Sequence, residues 1–113
     1  MYELGLKDTA KLDTISFGKA EFAYRRALEI KPEDHQWQFN LADALYKQKK
    51  ADESAKEFEN IAEKTELPID KAKAFHNMGN SYLVQKKLDE SIATYKKALR
   101  IAPNQHPRGV TTQ

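Results

Sequence analysis

Residues 75–103 read FHNMGNSYLVQKKLDESIATYKKALRIAP. Phe75, Met78 and Tyr82 are spaced by three and four, and so are Ser91, Tyr95 and Ala98. Each triple therefore shares one face of a helix. Between them lies Lys86-Lys87, and Pro103 closes the run because its ring cannot continue the hydrogen-bond ladder. The run has an echo upstream. Asp52-Glu53-Ser54 recurs as Asp89-Glu90-Ser91, 37 residues later. At that offset Leu41-Ala42 matches Met78-Gly79, and Leu45, Ser54, Phe58 and Ile61 match Tyr82, Ser91, Tyr95 and Ala98. Trp37 falls one position before the counterpart of Phe75, which is Gln38.

A third copy begins the chain. Ala20, Tyr24, Ala27 and Pro32 keep the spacing of the second helix of the unit, and Phe17 and Leu28 extend its apolar face. Residues 1–18 are harder to place. Leu4-Gly5 takes the slot of Met78-Gly79 if a long turn occupies Asp13–Gly18; counting straight back from Pro32 puts Lys7-Asp8 there instead. The first reading is preferred, with a degraded first helix. The spacing between the later two copies is three residues longer than between the first two. The excess is assigned to Thr65–Asp70, with Pro68 opening the next helix. Asp52-Glu53 and Asp89-Glu90 sit where negative charge complements a helix N-terminus, and Lys47, Lys49, Lys50, Lys86 and Lys87 sit at helix C-termini.

This pattern resembles the tetratricopeptide repeat (TPR): Trp-x2-Leu-Gly-x2-Tyr, then Ala-x3-Phe, a small residue and Pro. The resemblance implies an all-α fold, a right-handed α-solenoid of three antiparallel helix pairs, the first irregular. It implies one domain over residues 1–103, with repeats at about 1–33, 34–68 and 69–103. Residues 104–113, with Pro107 and Gly109 and no apolar period, are expected to form a flexible tail. In such proteins the first helix of each pair lines a concave groove that binds a peptide or helix of a partner protein. Carried onto this chain, the groove positions are Gln36, Phe39, Asn40, Asp43 and Lys47, then Lys73, His76, Asn77, Asn80 and Val84. An asparagine amide both donates and accepts, so it can hold an extended backbone without reading its side chains.

Two narrower resemblances were tested on the residues. The carboxylate-clamp subtype needs cations to grip a terminal carboxylate. Only Asn40 and Lys73 match it; Asn77 stands where an Arg is required, and the first-repeat positions hold Gly5 and Thr9, or Tyr2 and Leu6. The segments FNLADALYKQKKADESAKEF and KAKAFHNMGNSYLVQKKLDESIATYKKALRIAPN also look like the TPR protein of the bacterial aerotolerance operon. That likeness implies an envelope-associated setting; without it a cytoplasmic one is the default.

Composition narrows the function. The 113 residues are 40% apolar and 32% charged, enough for one small domain with a modest core. The net charge of +2 is too balanced to signal nucleic-acid binding. There is no cysteine, so there is no disulfide, thiolate metal site or thiol nucleophile. No apolar run is long enough to span a membrane, and Met1-Tyr2-Glu3 does not open a signal peptide. His35, His76 and His106 lack the i,i+3 or i,i+4 partners of a metal site. None of the GxSxG, HExxH or GxxxxGK[ST] motifs occurs. The expectation is a non-catalytic interaction module, with no cofactor, no metal and no small-molecule substrate. The alternative is an anion or nucleic-acid binder using the lysine-rich edge at 47–50 and 86–87, which Asp52, Glu53, Asp89 and Glu90 offset. The apolar face of the last helix, with Ile92, Tyr95 and Leu99, is expected either to self-associate or to await a downstream segment.

Overall fold

The computed structural model describes residues 6–103, with side chains from Thr14 onward. Its five helices are α1 (Leu6–Ile30), α2 (His35–Lys47), α3 (Ala51–Lys64), α4 (Pro68–Val84) and α5 (Leu88–Ile101). Extensive packing joins each helix to its neighbour in sequence: α1 to α2, α2 to α3, α3 to α4 and α4 to α5. Packing that runs mainly between sequence neighbours is the mark of a solenoid. The fold is all-α, as the spacing predicts.

The turns explain why the helices pair. α2 and α4 both end in Gln-Lys-Lys, at 48–50 and 85–87. In each turn the middle lysine takes the left-handed conformation, with φ of 69° at Lys49 and 63° at Lys86. The Lys50 amide then reaches back to the Leu45 carbonyl at 3.0 Å and the Lys49 amide to Tyr46 at 2.9 Å. Lys87 and Lys86 repeat this at Tyr82 and Leu83, both at 2.9 Å. This six-to-one and five-to-two pairing satisfies the last carbonyls and turns the chain sharply. At the other end of α2 the Asp34 carboxylate accepts from the Trp37 amide at 3.0 Å, an N-cap. α3 and α5 start without a side-chain cap but carry Asp52-Glu53 and Asp89-Glu90 in their first turns. Between α3 and α4 the backbone is extended at Thr65 and Leu67, and Pro68 stands at the helix start. The inter-repeat turn thus occupies residues 65–67, with Pro68 opening α4 as expected and Ile69 and Asp70 already helical.

The first repeat differs from expectation. No turn interrupts residues 13–18; α1 runs unbroken through them. This stretch contains no proline and nothing like the Gln-Lys-Lys turn. A single glycine, Gly18, costs a long helix only about 1 kcal/mol. Gly18 sits against the Gln48 side chain: a Cβ there would lie 3.4 Å from Oε1. The described residues thus comprise one long helix followed by two helix pairs. Leu4-Gly5 and residues 104–113, on which a first-helix slot and a tail were placed, lie outside the described residues.

The core sits in the middle of the array. Phe39, Ala42, Phe58, Ile61, Ala62, Ala74 and Met78 form one buried cluster from α2, α3 and α4, flanked by Phe75 and Tyr82. Small residues at Ala42, Ala62 and Ala74 let the helices approach closely. Gly79 does this most strictly, since an added Cβ would stand 2.6 Å from the Tyr95 ring. Serines seal the polar seams. The Ser54 and Ser81 hydroxyls meet at 2.8 Å across α3 and α4, and Ser91 donates to the Gly79 carbonyl at 3.1 Å. Gln38, not Trp37, is buried in the position matching Phe75; Trp37 turns instead onto Tyr24 of α1, with ring centroids 5.7 Å apart.

Glu21 locks α1 to the rest. Its carboxylate accepts from Gln48 at 2.9 Å, Arg25 at 2.9 Å and Lys50 at 3.2 Å. Burial pushes the carboxyl pKa up, but the three donors outweigh it and hold it at about 2.

Candidate functional site

The ten expected groove residues do not form one continuous surface. Asp43, Asn77 and Asn80 come together. With Tyr46 of α2 and Phe58 of α3 they line a cavity of about 60 Å³ between α2 and α4. The register explains the convergence. Asp43 and Asn80 are equivalent positions 37 residues apart, so two successive first helices point them into the same gap.

Hydrogen bonds orient these amides. The Tyr95 hydroxyl donates to the Asn80 carboxamide oxygen, and the Asn80 amide nitrogen donates to the Asn77 oxygen at 3.5 Å. The Asn77 amide nitrogen finds no acceptor among the described residues. The relay therefore leaves the Asn77 amide nitrogen as a donor in a cavity that the Asp43 carboxylate also lines. Asp43 also pairs with Lys47 at 3.2 Å. This is a complementary set for an amide backbone, which offers one donor and one acceptor per residue.

The remaining expected residues surround this centre or leave it. Gln36 donates to Asn40 at 3.2 Å near the start of α2. The Lys73 ammonium lies 4.6 Å from the Phe39 ring centroid. His76 packs on Tyr95, with centroids 5.5 Å apart. Val84 is exposed at the far end of α4, and the Lys47 ammonium stands 5.3 Å from the Phe17 ring. Phe39 is a correction. It is only 9% exposed and belongs to the core, with its ring 6.3 Å from that of Phe58. An aromatic side chain on the inner side of α2 gains more by burial than by facing water.

Two participants escape the pattern. Tyr46 lines the cavity and Tyr95 orients Asn80, yet the sequence pattern assigns Tyr95 only to packing and gives Tyr46 no place. Only the juxtaposition of Tyr95 with Asn80, 15 residues away, identifies its second role.

Larger clefts occur elsewhere. One of about 430 Å³ lies beside α1 and α3, lined by Arg25, Glu29, Gln38, Glu57 and Asn60 among others. There burial pushes the Glu57 carboxyl up, and neighbouring Glu53 adds to this against Arg25 and Lys64. A second, about 190 Å³, lies between α3 and α4 around Ala55, Glu59, Tyr82 and Gln85. Neither holds an arrangement of nucleophile, base and orienting group. No metal-binding cluster of His, Asp or Glu occurs among the described residues. No helix among them is long and apolar enough to cross a membrane.

The lysine edge is largely engaged. Lys50 pairs with Glu21 at 3.2 Å and Lys47 with Asp43 at 3.2 Å, while the Lys87 ammonium stands 5.9 Å from the Tyr82 ring.

Comparison with known families finds two matches, both described as tetratricopeptide repeat. One covers residues 10–68 and the other 72–105. No curated protein matches the chain.

Proposed function

The chain belongs to the tetratricopeptide-repeat family, a fold of protein–protein interaction modules, and on that premise we propose that its α2–α4 gap binds a partner's peptide or helix. The observation that carries this reading is the relay from Tyr95 through Asn80 to Asn77, opposite Asp43. It offers an unspent donor at Asn77 and an acceptor at Asp43 in one cavity, and an extended backbone matches both. The cavity itself is small, so a partner lies along the helices rather than within a pocket. Lys73 and His76 flank its path on α4; Asn40 and Gln36 flank it on α2. The role is scaffolding, without catalysis.

The test is a pull-down with the wild-type chain and an Asn40/Asn77/Asn80→Ala triple variant as baits. The wild type is expected to capture partner proteins that the variant loses while its far-UV dichroism is unchanged. Equal capture by both overturns the reading. The lysine edge receives no second reading, because Lys47 and Lys50 are already paired with Asp43 and Glu21.

A further inference from the structure

The 37-residue repeat permits a comparison of α3 with α5, position by position. Along α3, Ala51, Ala55, Phe58 and Ala62 are all buried, none more than 6% exposed. They lie on the side where α4 sits. Ala55 shares a crevice with Tyr82 and Gln85, Phe58 shares one with Asn77 and Asn80, and the Ala62 carbonyl accepts from Lys71 at 2.6 Å. Their counterparts on α5 are Leu88, Ile92, Tyr95 and Leu99. Leu88, Ile92 and Leu99 are larger and more apolar than the alanines they match, yet Leu88 is 58% exposed, Ile92 52% and Leu99 42%, while Tyr95 packs back onto α4. Three positions that carry a helix in one repeat are bare in the next. Leu83, on the adjoining end of α4, is exposed too and extends the same face.

The charges on α5 say what fits there. Its first turn is acidic, with Asp89 and Glu90, and its last turn holds Arg100. Among the described residues no ion pair engages any of the three. A helix of opposite polarity, basic where α5 is acidic, complements it, and an antiparallel copy of α5 has that polarity. We infer that the protein forms a two-fold dimer through α5, independently of the groove. With the axis near Tyr95, Ile92 meets the partner copy's Leu99, and Asp89, which flanks the stripe on the same side as Arg100, meets its Arg100. Each contact occurs twice, as a self-complementary interface requires. Antiparallel helix dipoles also favour this arrangement.

The dimer is weak. One 14-residue helix is about 21 Å long, and a single such face falls short of the area of a standard stable interface. Lys96 of both copies also lies near the axis and opposes pairing.

Sedimentation velocity on the full chain, from about 5 µM to about 1 mM, tests this. The expected result is a monomer–dimer equilibrium that Ile92→Lys weakens at least about tenfold, since it places a charge in the contact. Asp89→Lys and Arg100→Glu are each expected to weaken it, and together to restore it, because both ends of the antiparallel pair are then reversed. A strict monomer over this range overturns the proposal and leaves the face to the chain's own C-terminal residues or another protein. Open-ended polymers overturn it as well, since they require a head-to-tail contact. So does a charge-reversal pair that fails to restore association.

Discussion

The Tyr95 hydroxyl donates to the Asn80 carboxamide oxygen, so a packing residue of α5 sets the orientation of a polar residue in the α2–α4 gap. The bond joins the two halves of the last repeat. It also determines which end of the Asn80 amide faces Asn77, and through it which group Asn77 presents. On the proposed function, packing and recognition are coupled at this one contact.

Tyr95→Phe separates them. The ring keeps its place beside Gly79 and His76, so the melting temperature is expected to fall by only a few degrees. The Asn80 amide loses its orienting donor. Peptide affinity is expected to fall about two- to tenfold, the worth of one neutral hydrogen bond. Calorimetric titration of a captured peptide checks this; unchanged affinity would show that Asn80 needs no such support.

Gly79→Ala tests the closest approach in the fold. The new methyl would stand 2.6 Å from the Tyr95 ring, which must shift and take the bond to Asn80 with it. Destabilisation of about 1–3 kcal/mol is expected in urea unfolding, despite alanine's better helix propensity. Equal or greater stability would contradict the packing described for α4 and α5.

The acid sensitivity of the chain should reside partly in Glu21. Its folded pKa of about 2 lies below the ordinary 4.5. A depressed carboxylate contributes stability that is fully present above the unfolded value and is lost as pH falls toward the folded one. Glu21→Gln is therefore expected to cost about 1–3 kcal/mol at neutral pH, and the difference should shrink between pH 4.5 and 2. Melting curves across that range decide the point; a constant difference would mean that the carboxylate's charge is not what joins α1 to Gln48 and Lys50.

Much of this was legible beforehand, for physical reasons. The second and third repeats keep their period because each serine, alanine and aromatic serves a contact that the next unit repeats. Asn77 and Asn80 could be proposed from the sequence because they lie off that packing face. Phe39 could not be separated from them by period alone, since it borders both faces of α2. The first repeat was misread at Asp13–Gly18. A turn was inserted there to keep the register, although the turn-forming chemistry resides in Gln-Lys-Lys, which that stretch lacks. The role of Tyr95 was invisible because it depends on a contact between two helices, not on spacing within one.

The most direct test of the groove is an amide chemical-shift map recorded while a peptide selected against the wild-type chain is titrated in. Binding in the α2–α4 gap predicts the largest shifts at Asp43, Tyr46, Asn77 and Asn80, with Lys73 and His76 following. Shifts concentrated on Lys49 and Lys86, on the cleft around Arg25 and Glu57, or on Ile92 and Leu99 would contradict it.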